Sequence, residues 1–452
     1  MTEFSMLGLN PGLLAAVERM GISSPTPIQA RAIPSVLEGR DLMGLAQTGT
    51  GKTLAFGLPL LQRLSGQGRP APKTVRSLIL APTRELVNQI SETLAALAHG
   101  GPLKVVTVVG GASLNRQADK LGRGTDVLVA TPGRLIDLLD RRALTLQEVQ
   151  VLILDEADQM LDMGFIHALR QIARHLPQER QTLLFSATMP KDMSEIAETY
   201  LTRPVRVQVS PPGKAADKID QAVHFVAQND KAKLLEHYLD QHRDELALVF
   251  ARTKHGAEKL MKLLVSWGFA AGSIHGNKSQ GQRERTLAAF RAGELKVLVA
   301  TDVAARGIDI PLVRHVYNYD LPNVPENYIH RIGRTARAGR DGRAMAFCAP
   351  AEMADLRAIE KLTRVAITVE GGTPWPEAVA DAARSEARKA NGRGRGGQGQ
   401  GQGRSAKGNS GGKAAGAKSG EKPRQHPAYG APSGGKPRHR GARGGRKAHQ
   451  AA

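Results

Sequence analysis

The sequence predicts two similar α/β domains in tandem, each built on a parallel sheet that helices cover on both faces. Three observations predict this arrangement. Short apolar segments alternate with helical patterns through most of the chain, two of these segments recur at a single spacing, and the last 65 residues lack large apolar side chains. At 452 residues, the chain is long enough for two domains and a tail.

The predicted strands are short apolar segments without alternation between apolar and polar residues. Such segments are typical of strands that are buried on both faces, which is the situation in parallel sheets. They lie at residues 77–81, 104–109, 126–130, 151–154 and 181–185 in the first half, and at 246–250, 296–300 and 314–317 in the second.

An internal repeat indicates that the two halves are related. Residues 78–84 (LILAPTR) align with 248–254 (LVFARTK), and residues 127–131 (VLVAT) align with 297–301 (VLVAT), both at an offset of 170. The alternative is that any two buried strands look alike, because such segments carry little information. The resulting boundaries are a first domain at 1–210, a linker at 211–217, a second domain at 218–370, and a linker and tail at 371–452.

The C-terminal segment carries most of the basic charge. Residues 388–452 contain 16 Lys and Arg against one acidic residue, Glu421, so they hold +15 of the net charge of +21. They include 18 glycines, one aromatic residue and no Val, Ile, Leu, Met, Phe or Trp. We expect this segment to be disordered and to bind RNA through charge, with a purely solubilising tail as the alternative.

The composition also excludes several classes of protein. A single cysteine, Cys348, rules out a disulfide-stapled secreted fold. We find neither a secretory signal nor an apolar stretch of the roughly 18 residues that a membrane helix needs. These features predict a cytoplasmic protein without a membrane segment.

Residues 46–53 (AQTGTGKT) have the layout of a phosphate-binding P-loop, with Ala46 where the strict pattern begins with glycine. Glycines allow successive backbone N–H groups to turn toward phosphate oxygens. Lys52 can reach the β- and γ-phosphates, and the Thr53 hydroxyl can bind Mg²⁺. This pattern predicts one ATP site, since nothing equivalent occurs 170 residues later.

Two carboxylates follow the predicted strand at 151–154, at the end where open α/β sheets place their ligands. We predict that Asp155 holds Mg²⁺, partly through water, and that Glu156 orients or deprotonates the attacking water. An exposed acidic turn after a strand is the alternative, although the P-loop disfavours it.

The ordered set of motifs resembles that of the DEAD-box ATP-dependent RNA helicases over roughly residues 4–350. Residues 251–256 (ARTKHG) and 275–280 (HGNKSQ) look most like the bacterial RhlE-like subgroup. The motifs are PTPIQ at 25–29, AQTGTGKT at 46–53, PTREL at 82–86, GG at 110–111, TPGR at 131–134, DEAD at 155–158, SAT at 186–188, QGQR at 280–283, ATDVAARGID at 300–309 and HRIGRTAR at 330–337.

The resemblance implies two RecA-like domains and assigns the nucleotide site in more detail. Gln29 would read the adenine edge, and Phe4 would stack beside the base, with a hydrophobic staple as the alternative for Phe4. Arg334 and Arg337 would act as arginine fingers on the γ-phosphate. The alternative is that the run of Arg331, Arg334, Arg337 and Arg340 is a basic RNA-facing helix end. The remaining nucleotide-binding residues would be Gln47, Thr48, Gly49, Thr50, Gly51, Lys52, Thr53 and Asp309.

One departure from the family pattern is Ala336, at a position that is often glycine. We expect this methyl group to matter only if the backbone there has a positive φ, and we do not expect it to endanger activity.

The resemblance also implies residues that bind RNA and residues that couple ATP to RNA. Basic side chains, hydroxyls and glycine backbone suit a sugar-phosphate strand, so recognition should be largely independent of sequence. The RNA-binding set is Arg84, Gly110, Gly111, Thr131, Gly133, Arg134, Arg283, Thr301 and Arg306. The coupling set is Ser186, Thr188, Asp158 and His330.

The predicted function is an RNA-stimulated ATPase that unwinds short RNA duplexes or remodels RNA-protein complexes, in ribosome assembly or RNA decay. We expect ATP, Mg²⁺ and RNA as ligands, possible contacts with ribosomal particles or RNA-decay proteins, and a monomer. Two alternatives stay open: an ATP-gated RNA clamp whose output is partner binding, and a DNA translocase.

Overall fold

The computed structural model describes residues 3–46, 49–189, 191–209, 219–305, 313–336 and 341–393. The predicted linker at 211–217 and the tail beyond residue 393 lie outside this range. Two seven-stranded sheets organise the described residues, and every strand pairing in them is parallel. We call residues 3–209 the first lobe and residues 219–393 the second lobe.

The first sheet has the strand order β3-β4-β2-β5-β6-β1-β7. Its strands are β1 (Leu42–Leu45), β2 (Val75–Leu80), β3 (Val105–Val108), β4 (Thr125–Ala130), β5 (Val151–Leu154), β6 (Gln181–Ser186) and β7 (Val205–Gln208). A 3-10 turn (Phe4–Leu7) precedes the helices, which are α1 (Pro11–Arg19), α2 (Pro27–Leu37), α3 (Lys52–Leu64), α4 (Arg84–Leu97), α5 (Leu114–Leu121), α6 (Pro132–Asp140), α7 (Ala157–Asp162), α8 (Ile166–Ala173) and α9 (Lys191–Tyr200).

The central strands of the first lobe are buried on both faces because helices pack on each side of the sheet. In β2, Ile79 packs into one hydrophobic cluster, whereas Leu78 and Leu80 pack into the cluster on the opposite face. Both sets of side chains must therefore be apolar. This explains why these strands show no alternation in the sequence.

The second sheet has the order β10-β11-β9-β12-β13-β8-β14. Its strands are β8 (Ile219–Phe225), β9 (Leu246–Phe250), β10 (Ala271–Ile274), β11 (Val297–Ala300), β12 (Val313–Asn318), β13 (Gly342–Cys348) and β14 (Thr368–Gly371). Its helices are α10 (Lys231–Asp240), α11 (Lys254–Ser266), α12 (Gln280–Arg291), α13 (Asp302–Ala305), α14 (Pro325–Ile332), α15 (Met353–Thr363) and α16 (Glu377–Arg393), with a 3-10 turn at Pro350–Glu352.

The sequence repeat corresponds to equivalent positions in the two sheets. β2 and β9 are third in their sheets, and β4 and β11 are second. The helices that follow β2 and β9 also begin alike, since the Thr83 and Thr253 hydroxyls each accept a hydrogen bond from the backbone three residues later. The predicted fold class, two tandem parallel α/β domains, is confirmed.

Six strands fall outside the segments picked out in the sequence: β1, β7, β8, β10, β13 and β14. The edge strands β7 and β14 are largely exposed, so their residues carry little apolar signal. β1 and β10 are only four residues long and each contains a glycine. A short strand of this kind is set by its place in the sheet rather than by its own residues.

The region after residue 370 differs from the predicted linker and disordered tail. Helix α16 occupies Glu377–Arg393, so the helical backbone continues past residue 388, where we expected disorder to begin. The Trp375 indole donates to the Cys348 carbonyl at 3.0 Å, and Ala380 is buried in the second-lobe core. Alanines at helical spacing favour this extension.

Among the described residues, no helix is both long and apolar enough to cross a membrane.

Candidate functional site

The P-loop connects the end of β1 to the start of α3. Gly49 and Gly51 have left-handed backbone angles, with φ of 83° and 88°. A Cβ atom on Gly51 would also lie 2.3 Å from Nε2 of Gln29, so this position excludes every side chain. The backbone turn delivers the N-terminus of a 13-residue helix to the site. Gln47 and Thr48 lie outside the described residues.

Lys52 is buried at the first position of α3. Its Nζ lies 3.6 Å from Oδ1 of Asp155 and has no hydrogen-bond partner among the described residues. Thr53 follows Lys52 and is partly buried, and Thr50 is on the loop just before. An unsatisfied buried ammonium is costly, so this position suits a phosphate that supplies the missing acceptors.

Asp155 and Glu156 follow β5 at the carboxyl end of the sheet, and both side chains are buried. The Asp155 carboxylate accepts a hydrogen bond from the Glu156 backbone at 2.9 Å. Glu156 has a φ of 52°, and both of its carboxylate oxygens lack partners among the described residues. Burial raises the pKa of the Glu156 carboxyl, while the charges of Lys52 and Arg334 oppose this rise. The exposed acidic turn is therefore excluded.

Asp158 connects the predicted coupling residues. Its Oδ2 accepts hydrogen bonds from the Thr188 backbone at 2.9 Å, the Thr188 hydroxyl at 3.0 Å and the Ala187 backbone at 3.1 Å. The Ser186 hydroxyl donates to the Thr188 carbonyl at 2.6 Å. Burial alone would raise the pKa of Asp158, but His330 and the Thr188 hydrogen bond hold it well below its usual range.

The second lobe reaches this cluster through α14 and the residues after it. Nε2 of His330 lies 3.6 Å from Oδ2 of Asp158, which joins the two lobes at the predicted coupling set. Arg334 is 4% exposed and donates to the His330 carbonyl, and its charge acts on Glu156. Asp309 and Arg337 lie outside the described residues.

Arg331 is a residue whose role the sequence did not reveal. It is 1% exposed, and Nε and Nη2 bind the two Asp302 oxygens at 2.5 and 2.8 Å. Nη1 donates to Oδ1 of Asn318 at 3.0 Å. The hint in the sequence was that Arg331 directly follows His330. Arg331 and Arg334 are both buried, which argues against a basic RNA-facing helix end for these two residues.

Ala336 has a φ of 54°, in the left-handed region. Our condition for this methyl group to matter is therefore met. A non-glycine residue in this region costs roughly 1–2 kcal/mol. The strain lies two residues after the buried Arg334.

The adenine-site residues are buried in this structure. The Gln29 amide accepts from the Thr26 backbone at 2.9 Å and donates to the Gly51 carbonyl at 3.0 Å, which connects α2 to the P-loop. A carboxamide keeps one further donor and one further acceptor site after these two bonds. Phe4 packs in the first-lobe hydrophobic cluster and is 6% exposed. Their role toward adenine stays a prediction.

The predicted RNA contacts of the first lobe follow β2, β3 and β4, on connecting loops and in the first turns of α4 and α6. Arg84 lies against Gly110 and Gly111, where a Cβ on Gly111, at a φ of 79°, would come 2.1 Å from the guanidinium. These glycines therefore accommodate Arg84. Arg134 donates to the Ala112 carbonyl at 2.8 Å.

The backbone at the start of α6 is open at one of the predicted RNA contacts. A Cβ atom on Gly133 would meet nothing within 4 Å, so a strand can approach this backbone closely. Thr131, at the N-cap of α6, is buried at the end of β4.

A second contact between the lobes lies among these RNA residues. Arg283 Nη2 is 3.0 Å from Glu85, and the Gln280 amide donates to Glu85 at 3.3 Å. Arg84 in turn donates to Gln280 at 3.4 Å. Glu85 and Gln280 are missing from the predicted site, although both lie inside the quoted motifs. Thr301 directly follows β11, and Arg306 lies outside the described residues.

Comparisons with known proteins agree with this geometry. The "DEAD/DEAH box helicase" family model matches residues 26–196, and the "Helicase conserved C-terminal domain" model matches residues 230–339. The ATP-dependent RNA helicase CshA of Listeria monocytogenes is 44% identical over 389 residues, covering 86% of this chain and 74% of that protein. CshA of Bacillus subtilis is 45% identical over 361 residues, covering 80% and 72%.

Solved helicase structures show the same fold. Saccharomyces cerevisiae Dbp5 bound to RNA and ADP BeF3 matches with a TM-score of 0.75 and 32% identity, covering 85% of this chain and 99% of that chain. Mss116p bound to ssRNA and AMP-PNP matches with a TM-score of 0.75 and 30% identity, covering 86% and 81%. The RhlE-like subgroup stays a prediction, since the relatives named above are CshA proteins. By sequence, motif order and fold, the chain belongs to the DEAD-box family of ATP-dependent RNA helicases.

Proposed function

We propose that this helicase hydrolyses ATP with its two lobes closed on RNA, and thereby opens short duplexes locally or remodels RNA-protein complexes. The observation that carries this proposal is the pair of contacts between the lobes. His330 approaches Asp158 beside the nucleotide residues, and Arg283 pairs with Glu85 among the RNA residues. Because one closure makes both contacts, ATP and RNA each favour the other's binding.

In this proposal the P-loop binds the phosphates of ATP. Backbone N–H groups of residues 49–51 and the N-terminus of α3 face the phosphates, and Lys52 pairs with the terminal ones. We assign Gln47 and Thr48 to the same phosphate site. The unsatisfied Lys52 ammonium and the two unsatisfied Glu156 oxygens indicate a site shaped for a charged ligand. Gln29 contacts adenine through its remaining donor and acceptor, and Phe4 lies beside the base.

The donor set of the site also fits Mg²⁺. The Thr53 hydroxyl and the Asp155 carboxylate are the oxygen ligands that this ion prefers, and water completes its shell. When bound, the ion would neutralise phosphate charge. Asp155 is held for this role by the Glu156 backbone, and its position 3.6 Å from Lys52 keeps the two groups beside the same phosphates.

The chemical step is the attack of water on the γ-phosphate. Glu156 accepts the proton or orients the water, and its raised pKa strengthens it as a base. Arg334 from the second lobe stabilises the charge that develops on the transferred phosphoryl, and we assign the same role to Arg337. Hydrolysis therefore requires the closed cleft.

Coupling runs through the hydrogen-bonded residues around Asp158. Ser186 ends β6 and donates to the Thr188 carbonyl, and Thr188 in turn shares Asp158 with His330 of the second lobe. A change at the γ-phosphate that moves His330 thus reaches the strand end beside the RNA surface.

RNA binds along the loops that meet at the cleft, through its backbone. The proposed contacts are Arg84, Gly110, Gly111, Thr131, Gly133, Arg134, Arg283, Thr301 and Arg306, whereas Asp309 is assigned to the nucleotide. Backbone contacts carry little sequence information, so the protein should act on many RNAs. The family resemblance supports a cytoplasmic monomer that works in ribosome assembly or RNA decay, with an RNA-binding tail and possible ribosomal or decay partners.

The test is steady-state ATP hydrolysis by the full chain without nucleic acid, with a short structured RNA, and with DNA of the same sequence. We expect strong stimulation by RNA and little by DNA. Equal stimulation by both polymers would support a DNA translocase instead. No stimulation by either would refute the coupling, and would direct attention to a protein partner.

A further inference from the structure

A cluster of potential metal ligands lies in the second lobe, away from the nucleotide and RNA residues. It consists of His242, Glu245 and His315, whose ligand atoms all lie within 4.8 Å of one another. Among the described residues, it is the one group of three His, Cys, Asp or Glu side chains with this spacing.

Three separate segments bring these side chains together. His242 follows α10, Glu245 directly precedes β9, and His315 is on β12. β9 and β12 are neighbours in the sheet, with a bulge in their register between Val313 and His315. Bulges redirect side chains, and this one leaves His315 opposite Ala247, two residues after Glu245.

The Glu245 carboxylate faces both imidazoles with a single oxygen. Its Oε2 lies 2.5 Å from Nε2 of His315 and 3.9 Å from Nδ1 of His242. The other oxygen, Oε1, lies 3.6 Å from Nε of Arg314. A cation behind the carboxylate orients it in the way that outer partners orient metal-binding carboxylates.

The two imidazoles are held side by side. The rings of His242 and His315 stack with centroids 4.2 Å apart, and the His315 ring also stacks on Tyr317 at 6.1 Å. The His315 side chain is 10% exposed, so its position is set by packing, whereas His242 and Glu245 are partly exposed. One ligand is therefore fixed, and the other two can adjust to an ion.

We propose that His242, Glu245 and His315 bind a divalent transition metal, with Zn²⁺ as the best match. Two imidazoles and one carboxylate are ligands that Zn²⁺ accepts at about 2.0–2.2 Å, with water in a fourth position. Binding requires the His315–Glu245 pair to separate slightly and the His242 ring to rotate toward the ion. Mg²⁺ fits poorly because it prefers an all-oxygen shell.

The position of this site separates it from ATP hydrolysis. Glu245 and His315 lie at the amino ends of β9 and β12, whereas the nucleotide and RNA residues follow the carboxyl ends of strands. The bound ion would join the loop after α10 to β12. Its expected effect is a more stable second lobe, without a change in the chemistry of the cleft.

The test is a Zn²⁺ titration of the untagged full chain in competition with a chromophoric chelator. We expect one equivalent of Zn²⁺ per chain to bind more tightly than any further Zn²⁺. Loss of a residue that only hydrogen-bonds to a metal ligand already lowers metal affinity roughly 10–100-fold. His315→Ala removes a ligand itself, so it should lower the affinity for this Zn²⁺ by at least tenfold. Glu245→Gln should do the same while keeping the shape of the side chain. Co²⁺ should give a visible absorption band that both variants lose.

The matched control is His99→Ala, which removes an exposed histidine from the first lobe. The chain has thirteen histidines, so all variants share a background of weak binding. Wild-type affinity in Glu245→Gln, or equal losses in His315→Ala and His99→Ala, would overturn the proposal and leave a hydrogen-bonded histidine pair. RNA-stimulated ATP hydrolysis by Glu245→Gln confirms that the variant is folded.

Discussion

Glu156 combines three unfavourable features at one residue. Its backbone is left-handed, its side chain is buried, and both carboxylate oxygens lack partners among the described residues. A left-handed non-glycine residue and a desolvated carboxylate each cost free energy of folding. We interpret this cost as the consequence of holding a base against the position of the γ-phosphate.

The Glu156→Gln variant tests that role. We expect ATP hydrolysis at saturating RNA to fall by at least about 100-fold, because general-base catalysis is typically worth 10²–10⁴. ATP binding, measured with a fluorescent nucleotide, should be retained because Lys52 and the P-loop are unchanged. Glu38→Gln, at an exposed position, is the control. Near-normal turnover in Glu156→Gln would remove Glu156 from the mechanism.

Ala336 offers a second test at the residue scale. Glycine removes the left-handed strain at a φ of 54° but increases the entropy of the unfolded chain. We expect Ala336→Gly to raise the free energy of unfolding by roughly 0.5 kcal/mol. Chemical denaturation would measure the free energy of unfolding of Ala336→Gly and of a comparison variant, Ala289→Gly in α12. The comparison variant should lose about 1 kcal/mol of this free energy. A similar decrease in the free energy of unfolding in both variants would show that the backbone at Ala336 is unstrained.

At the scale of elements, α4 and α12 meet across the cleft through their first turns. Glu85 contacts both Arg283 and Gln280, so it holds the predicted RNA residues of the second lobe against those of the first. This pairing can form only when the lobes are closed. The pairing therefore adds to the free energy by which RNA binding favours closure.

We expect Glu85→Gln to raise the RNA concentration that gives half-maximal ATP hydrolysis by roughly fivefold, equivalent to about 1 kcal/mol of coupling. Hydrolysis at saturating RNA should be largely preserved, since bound RNA then holds the cleft closed and Glu85 is not one of the nucleotide residues. The control is Glu92→Gln, an exposed position on the same helix. An unchanged RNA requirement in Glu85→Gln would mean that this ion pair does not contribute to closure.

A carboxylate on helix α11, Glu258, connects this helix to β10 and to the segment after it. Glu258 accepts hydrogen bonds from Ser273 at 2.7 Å and pairs with Lys278 at 2.9 Å and His275 at 3.0 Å. Lys278 first, then His275 and Ser273, lower the pKa of Glu258 to about 2 from a usual value of 4.5. The resulting stability is fully present above pH 4.5 and is lost as the pH falls toward 2.

Accordingly, Glu258→Gln should reduce the free energy of unfolding by roughly 1 kcal/mol at pH 7, a modest value because the group is partly exposed and screened. The difference from the wild type should shrink between pH 4.5 and pH 2. Denaturant titrations across this range would measure it, with Glu284→Gln as the exposed control on α12. A difference that does not vary with pH would contradict the lowered pKa.

On the scale of the whole molecule, we expect the folded part and the basic tail to contribute separately to RNA binding. Helix α16 ends at Arg393, so removing residues 394–452 leaves every described element intact. This deletion should weaken RNA affinity and flatten its dependence on salt, because fewer counterions are released. Turnover at saturating RNA should be largely preserved. An unchanged salt slope would show that the tail does not bind phosphates.

The sequence by itself determined the fold class, the order of the motifs and the local chemistry of the P-loop and of Asp155 and Glu156. These features depend on short stretches of chain, such as glycines that permit a turn or apolar residues that form a buried strand. The strands β7 and β14 and helix α16 were missed because their exposed residues carry little apolar signal.

Only the tertiary structure decided which distant residues meet. The pairing of Glu85 with Arg283, the approach of His330 to Asp158, the burial of Arg331 against Asp302 and the grouping of His242 with His315 all join separate segments. The left-handed backbone of Glu156 and Ala336 likewise reflects their surroundings, since neither residue type favours it. Contacts across lobes and neighbouring strands depend on packing, which no local pattern encodes.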